Sequence, residues 1–223
     1  MKYYADILQK RFTTVENLFL IDEVDELEQE LDKTLPQSVG GLTHVDVNRP
    51  SRIRKQILQT RIFEKCKIFA EDFFQKECHC LYDHAIYKFG FCDIATSWHQ
   101  DQAYLGEGVP IKSLNFWIPM QDTSDFNGGL IFTKNSPSYL VPHKKITFRG
   151  VEQLAIEFDS EPDFSKEIIQ KGGVSIHDNF AIHASSVNKS PLTRKAWIVH
   201  FSPTSPFAKR MYQLRSGILK IKM

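Results

Sequence analysis

The chain has 223 residues, with 28 basic and 27 acidic side chains, a formal charge of +1 and 42% hydrophobic residues. That length supports one full hydrophobic core, and the balanced charge gives no global attraction for nucleic acid or an anionic membrane. No apolar run is long enough to span a bilayer, and the opening Met-Lys-Tyr-Tyr-Ala-Asp is not a basic-then-apolar leader, so a cytoplasmic protein is expected.

Helix comes first in chain order. Asp22 is expected to cap a short helix whose Val24, Leu27 and Leu31 form an apolar stripe among acidic residues. Pro36 and Gly40-Gly41 break it. Ser51, after Pro50, starts a second and longer helix with Ile53, Ile57, Phe63, Cys66, Phe69 and Phe73 at helical spacing, a stripe suited to packing on a sheet. Residues 1–80 are therefore read as a mainly helical lead-in. Cys78-His-Cys80 with His84 has the residue types of a zinc site, but C-x-C is not the usual C-x2-C knuckle and no second pair follows. The segment is read as the end of a helix entering a strand, and the four cysteines (Cys66, Cys78, Cys80, Cys92) as reduced thiols.

From Ala85 the pattern changes to short strands divided by turn residues: Ala85–Phe89, Ser97–Asp101, Ile111–Met120, Gly129–Thr133, Leu154–Phe158, Val174–His177, Ala181–Ser185 and Lys195–Phe201. Strands without intervening helices favour a sandwich or jelly roll over a parallel sheet, with the core at residues 85–201. Within Ser113–Ile118, Leu114, Phe116 and Ile118 share one face and Ser113, Asn115 and Trp117 the other. Gly128-Gly129 reads as a tight turn between strands, Lys144-Lys145 with Arg149 as a solvated loop, and Asp159–Ile168 as a surface loop or short helix.

The chemistry sits in His99-Gln-Asp101, followed much later by His183 and, eleven residues on, Arg194. Residues i and i+2 of an extended strand point to one face, so His99 and Asp101 can reach one metal while Gln100 faces away. Two imidazoles and a carboxylate leave three coordination positions open, which suits Fe(II) that must still bind a co-substrate and O2. His177 also lies on a strand and is read as a supporting or core histidine; His200, His143, His84, His79 and His44 are left as structural or exposed. Arg194 opens the apolar strand Ala196-Trp-Ile-Val199, a reason for it to face inward.

The words W-H-Q-D-Q-A-Y (98–104), N-F-W-I-P-M-Q-D (115–122), N-G-G-L (127–130) and H-A-S-S-V-N-K-S with R-K-A-W (183–197) resemble the phytanoyl-CoA dioxygenase family. That resemblance implies a mainly β fold with flanking α-helices, a double-stranded β-helix of the cupin-like jelly-roll type, and one Fe(II)- and 2-oxoglutarate-dependent oxygenase domain over 1–223. It implies His99, Asp101 and His183 as iron ligands and Arg194 as partner of the co-substrate's distal carboxylate, with Ser185, Trp117 and Lys88 in the 2-oxoglutarate pocket. The chain departs from the family at Phe89-Gly-Phe-Cys-Asp93, where a Pro-Gly turn is usual, and at Lys134-Asn-Ser-Pro137, in place of a Gly-Ser-His word. Gln102 and Tyr104, just past the ligands, and Asn115, on the face of Trp117, are expected to contact a small-molecule substrate. The default reaction is hydroxylation with release of succinate and CO2; the Asp101 carboxylate leaves no place for chloride on the iron, which disfavours halogenation. The competing readings are a non-catalytic jelly-roll binding module and a metal-dependent hydrolase or isomerase using the same ligands for zinc. The oligomeric state is not legible.

Overall fold

A computed structural model describes residues 2–36, 41–105 and 111–204, so the Gly40 breaker lies outside the described residues. In chain order the elements are α1 (Lys2–Lys10), β1 (Phe12–Val15), α2 (Ile21–Asp32), β2 (His44–Asn48), α3 (Pro50–Ile53), a 3-10 turn (Lys55–Gln59), α4 (Arg61–Phe74), β3 (His79–Lys88), β4 (Thr96–His99), α5 (Asp101–Leu105), β5 (Leu114–Pro119), β6 (Leu130–Thr133), β7 (Lys144–Phe148), β8 (Val151–Ala155), β9 (Phe164–Glu167), β10 (Val174–Asp178), β11 (His183–Ser185) and β12 (Arg194–Ser202).

Two antiparallel sheets face each other: a large one in the order β1-β10-β5-β12-β3-β2 and a small one in the order β4-β11-β6-β9, with β7-β8 as a separate hairpin. This is the expected jelly roll, and helices α2 and α4 cover the outside of the large sheet. Val24, Leu27 and Leu31 of α2 and Ile62, Cys66 and Ala70 of α4 join Leu114, Phe116, Ile118, Trp197, Val199 and Phe201 in one buried cluster. The period-2 alternation of β5 and β12 causes this, because it sends every second apolar side chain outward to meet the helices. The inward residues Trp117, Ala196 and Ile198 join Phe12, Leu130 and Phe132 between the sheets. Among the described residues no helix is long and apolar enough to cross a membrane.

Several expectations need correction. The lead-in is not only helical: β1 and β2 form the two edges of the large sheet, pairing with β10 and β3. Helix α2 starts one residue before Asp22; its cap is Leu20, whose N–H donates to Glu23 Oε2 at 2.9 Å. The long helix from Ser51 is broken, because Arg54 and Thr60 are both extended. Thr60 caps α4, its hydroxyl accepting from Phe63 N at 3.3 Å, and the apolar stripe begins at Ile57 while Ile53 is 57% exposed. The Lys144 loop is strand β7, and Phe164–Glu167 inside the supposed loop is strand β9, paired with β6.

Candidate metal and co-substrate site

The two sheets leave between them a cavity of about 1240 Å³ that reaches His99, Asp101, His177, His183 and Arg194. His99 ends β4 and His183 opens β11, and the two strands pair so that these residues stand opposite each other, with ring centroids 4.1 Å apart. Asp101 is not on the strand with His99. It is the first residue of α5, and the turn between them is enforced by Gln100. That buried side chain donates to Tyr139 O and Phe180 O at 2.9 Å and accepts from Val141 N at 2.9 Å, while its N–H donates to His143 Nε2 at 3.0 Å. Gln100 does face away from the metal, but the carboxylate arrives from a helical turn.

The potential ligand atoms of His99, Asp101 and His183 lie within 4.8 Å of one another, the spacing of a metal site. Asp101 Oδ1 is 3.4 Å from His99 Nε2 and 3.8 Å from His183 Nε2. Backbone carbonyls set both imidazole tautomers: His99 Nδ1 donates to Ser97 O at 2.7 Å and His183 Nδ1 to Ala181 O at 3.0 Å. A carbonyl can only accept, so each Nδ1 carries the proton and each Nε2 turns its lone pair to the centre. The other carboxylate oxygen is held from behind, where Asp101 Oδ2 accepts from Asn115 Nδ2 at 2.5 Å and His177 Nε2 at 3.2 Å. Burial alone would raise the Asp101 carboxyl, but the His183, His177 and His99 rings hold it well below its ordinary range. Burial and the neighbouring rings of His99 and His177 push His183 well below 6.5, so it is neutral and ready to ligate.

Arg194 lies at one end of the cavity. It is 1% exposed, its guanidinium carbon sits 5.5 Å from the centre of the Trp117 ring, and its Nε and Nη1 have no hydrogen-bond partner among the described residues. Burial lowers its pKa to about 10, which leaves it charged at neutral pH. A buried cation with empty donors is expensive to maintain unless an anion completes it, so these atoms fit a carboxylate entering the cavity. Gly128 packs beside this side chain: its φ of +84° and the 2.9 Å at which a Cβ would meet Ser186 O require glycine there, while Arg194 Nε and Nη2 would lie in ordinary contact at 3.5 Å.

The remaining sequence candidates divide. Ser185 and Trp117 line the cavity beside Arg194. Lys88, fully buried, lies beneath it and donates from Nζ to Ser185 Oγ at 2.9 Å and Ser186 O at 2.8 Å. Burial and the Arg194 charge push the Lys88 ammonium well below its ordinary range. Its part is to orient Ser185, whose hydroxyl donates on to Thr96 Oγ1 at 2.9 Å, a cavity residue that the sequence did not single out. Tyr104 lines the mouth, its hydroxyl accepting from Leu154 N at 3.0 Å. Gln102 and Asn115 do not line the cavity. Gln102 is buried and accepts from Ile111 N at 3.2 Å, and Asn115 lies behind Asp101, where Asn179 Oδ1 also accepts from its amide at 3.0 Å. His177 supports Asp101 as expected, whereas His44, His84 and His200, set aside as structural or exposed, all line the cavity.

A jelly roll that presents two imidazoles, one carboxylate and a buried guanidinium to one cavity defines the class: an iron- and 2-oxoglutarate-dependent oxygenase. The chain belongs to the phytanoyl-CoA dioxygenase (PhyH) family, whose profile matches residues 12–196. No curated protein is significantly similar in sequence. Among solved structures, the chain is similar to EvdO2 from Micromonospora carbonacea var. aurantiaca complexed with 2-oxoglutarate, at 20% identity and a TM-score of 0.78, covering 90% of this chain and 89% of that one. It is also similar to the epimerase SnoN in complex with Fe3+, alpha ketoglutarate and nogalamycin RO, with 16% identity, a TM-score of 0.74 and coverage of 91% and 83%. EctD from S. alaskensis with 2-oxoglutarate and 5-hydroxyectoine gives 16% identity, a TM-score of 0.70 and coverage of 92% and 76%.

Proposed function

We propose that the protein acts as one domain, lead-in included, that hydroxylates a small-molecule substrate in the cytoplasm, releasing succinate and CO2. The observation that carries this reading is Arg194, a buried guanidinium with two donors unpartnered among the described residues, in the same cavity as the His99, Asp101 and His183 triad. A zinc hydrolase has no need of that cation, and a binding module gains nothing from keeping three metal ligands poised.

His99 and His183 through Nε2 and Asp101 through Oδ1 would hold Fe(II), which with 2-oxoglutarate and O2 supplies the oxidising power for C–H hydroxylation. Each protein group then has a defined task. Asn115 and His177 keep Asp101 Oδ2 engaged, so that Oδ1 stays aimed at the centre. Arg194 binds the far carboxylate of 2-oxoglutarate, and Ser185, backed by Lys88, donates to Thr96 and so leaves the Thr96 hydroxyl to donate toward the same end. Trp117, Leu130 and Ile198 give this end apolar walls that exclude water and strengthen the ion pair. Tyr104 stands at the mouth on the substrate side.

The test is an anaerobic titration of metal-free protein with Fe(II) and then 2-oxoglutarate, followed by visible absorption, with succinate release measured after O2 is admitted. A charge-transfer band that weakens in Arg194→Ala is expected. Iron binding without any band would refute 2-oxoglutarate as the co-substrate.

A further inference from the structure

The register of the large sheet lays its cavity face out in rows. One row runs His44, Lys88, Arg194 across β2, β3 and β12, at the co-substrate end. Further along β2 and β3, Asn48 stands opposite His84, and across β3, β12, β5 and β10 the next row runs Tyr82, His200, Asn115, His177. This row ends on the two residues that hold Asp101, so the Tyr82–His84 region borders the metal on the side away from Arg194.

The described arginines divide by partner. Arg11, Arg54, Arg61 and Arg149 each meet a carboxylate. Arg49, Arg52 and Arg194 meet none among the described residues, and all three line this cavity. Arg194 is accounted for by 2-oxoglutarate; among the described residues Arg49 has only Leu81 O, to which its Nη1 donates at 3.4 Å, and the Tyr82 ring, and Arg52 has no side-chain partner. They come from the corner between β2 and α3, where Arg49 takes φ +52° before Pro50 and accepts the Arg52 N–H on its carbonyl at 2.9 Å. The Arg49 guanidinium is laid over the Tyr82 ring, 5.1 Å from its centroid. The wall below them is rich in donors. His84 Nδ1 is tied to Asp46 at 3.1 and 3.3 Å, which leaves Nε2 for the cavity. The Tyr82 hydroxyl donates to Asn48 Oδ1, which leaves the Asn48 amide N–H groups as donors. The nearby acids are already engaged: Asp46 with His84, the buried Asp83 with Ser51 and Trp197, and Glu152 on the opposite wall with Lys145.

We infer that Arg49 and Arg52, with His84 beneath them, form the subsite for an anionic group of the prime substrate, a carboxylate or a phosphate ester, and that the substrate spans from this corner to the iron. The inference rests on the oxygenase reading for the rest of the site, but the subsite is defined by its own residues. Being anchored at one end, the substrate presents a carbon remote from its charge for oxidation. The anion is what the two guanidinium groups lack, and Asp46, by accepting from Nδ1, keeps the His84 Nε2 turned toward it, a donor when the ring is in its imidazolium form.

The test uses benzoate and phenyl phosphate as anionic probes and benzyl alcohol as the neutral one, with binding read by ligand-observed NMR on the full chain saturated with 2-oxoglutarate. Either anion is expected to bind better than benzyl alcohol, and to weaken at least about tenfold in Arg49→Gln/Arg52→Gln. The alcohol and the 2-oxoglutarate band should be unchanged. The better-bound anion identifies the group. Equal binding of alcohol and anions, or anion binding indifferent to the double substitution, overturns the proposal. Should the double variant not fold, Arg52→Gln alone, at an exposed position, decides it by the same criterion. Absence of the 2-oxoglutarate band refutes the oxygenase reading instead; the anion measurement, repeated in Arg194→Ala, then still decides whether the corner binds anions.

Discussion

Replacing Arg194 with methionine should make the empty protein more stable while disabling it. The guanidinium is 1% exposed, two of its nitrogens have no partner among the described residues, and its charge lies close enough to Lys88 to depress that ammonium. Exchanging a buried ionic group for an apolar one of similar length is often worth about 1–4 kcal/mol. The lost stacking on Trp117, with the guanidinium carbon 5.5 Å from the ring centre, takes back about 0.5–2 kcal/mol. The net gain is then about 1 kcal/mol, which for a chain of this size raises Tm by about 2–4 °C. Against this, the variant forfeits two charge-assisted hydrogen bonds to 2-oxoglutarate at about 1.5–3 kcal/mol each, a loss of at least about a hundredfold in affinity. Thermal melts of metal-free protein without 2-oxoglutarate measure the first quantity, and titration of the visible band of the iron-loaded protein measures the second. A variant that melts lower and still binds 2-oxoglutarate normally would show that Arg194 serves the fold rather than the ligand, and would refute the argument.

Removing the Asn115 amide with Asn115→Ala frees Asp101 Oδ2 from its 2.5 Å partner and lets the carboxylate turn; ferrous affinity should fall about 10–100-fold in an anaerobic metal titration, and unchanged affinity would count against the supporting role. Gly128→Ala places a Cβ at positive φ and 2.9 Å from Ser186 O, while its 3.5 Å approach to Arg194 Nη2 is ordinary contact; the variant should lose about 1–2 kcal/mol of stability in a denaturant melt, and an unchanged midpoint would show that the turn does not need the left-handed conformation. In His84, burial pulls the imidazole down, but the Asp46 carboxylate more than offsets it and the pKa lies above 6.5, while Asp46 itself is lowered from 3.8. The His84 contribution is therefore complete below pH 6.5 and fades as pH rises through the raised pKa; the Asp46 contribution is complete above 3.8 and fades as pH falls through the lowered one. In Asp46→Asn the imidazole should titrate below its wild-type pKa in proton NMR, with the stability window between those limits flattened, and an unmoved His84 titration would break the pairing argument.

The metal triad and its arginine were legible because the chemistry demands fixed residue types and the words around them are long. The alternation of Leu114, Phe116 and Ile118 against Asn115 and Trp117 likewise told the helix-facing side of β5 from the cavity side. What it did not tell is depth: Asn115 and Trp117 share a face, yet one sits behind Asp101 and the other beside Arg194. Strand β2 escaped notice because His-Val-Asp-Val-Asn is short and lies among turn residues. Its polar members face the cavity and Val45 and Val47 the helices, so the alternation carries the meaning that composition hides. With β2 unseen, His44, Asp46 and Asn48 had no reason to be placed near the iron. Asp101 was assigned to a strand because the i, i+2 rule is blind to Gln100, whose bonds to Tyr139, Phe180 and Val141 come from segments far along the chain and force the turn. The break of the Ser51 helix at Thr60 was signalled by a good capping residue, but the apolar period ran across it.

The position of β12 in the large sheet has a consequence for how the protein is made. It is the last strand in the described chain, yet it lies between β5 and β3, so that without it β1-β10-β5 and β3-β2 are two unconnected ribbons. A ribosome extruding this chain delivers His99 and Asp101 early, His183 late, and the central strand that joins the two halves of the wall after all of them. Maturation of the wall thus waits for β12. Until β12 docks, the apolar faces of β5 and β3 and the stripes of α2 and α4 lack their common partner, the kind of long-range dependence that slows folding and exposes intermediates to aggregation. Iron that arrives before His183 is made meets only two of the three ligands.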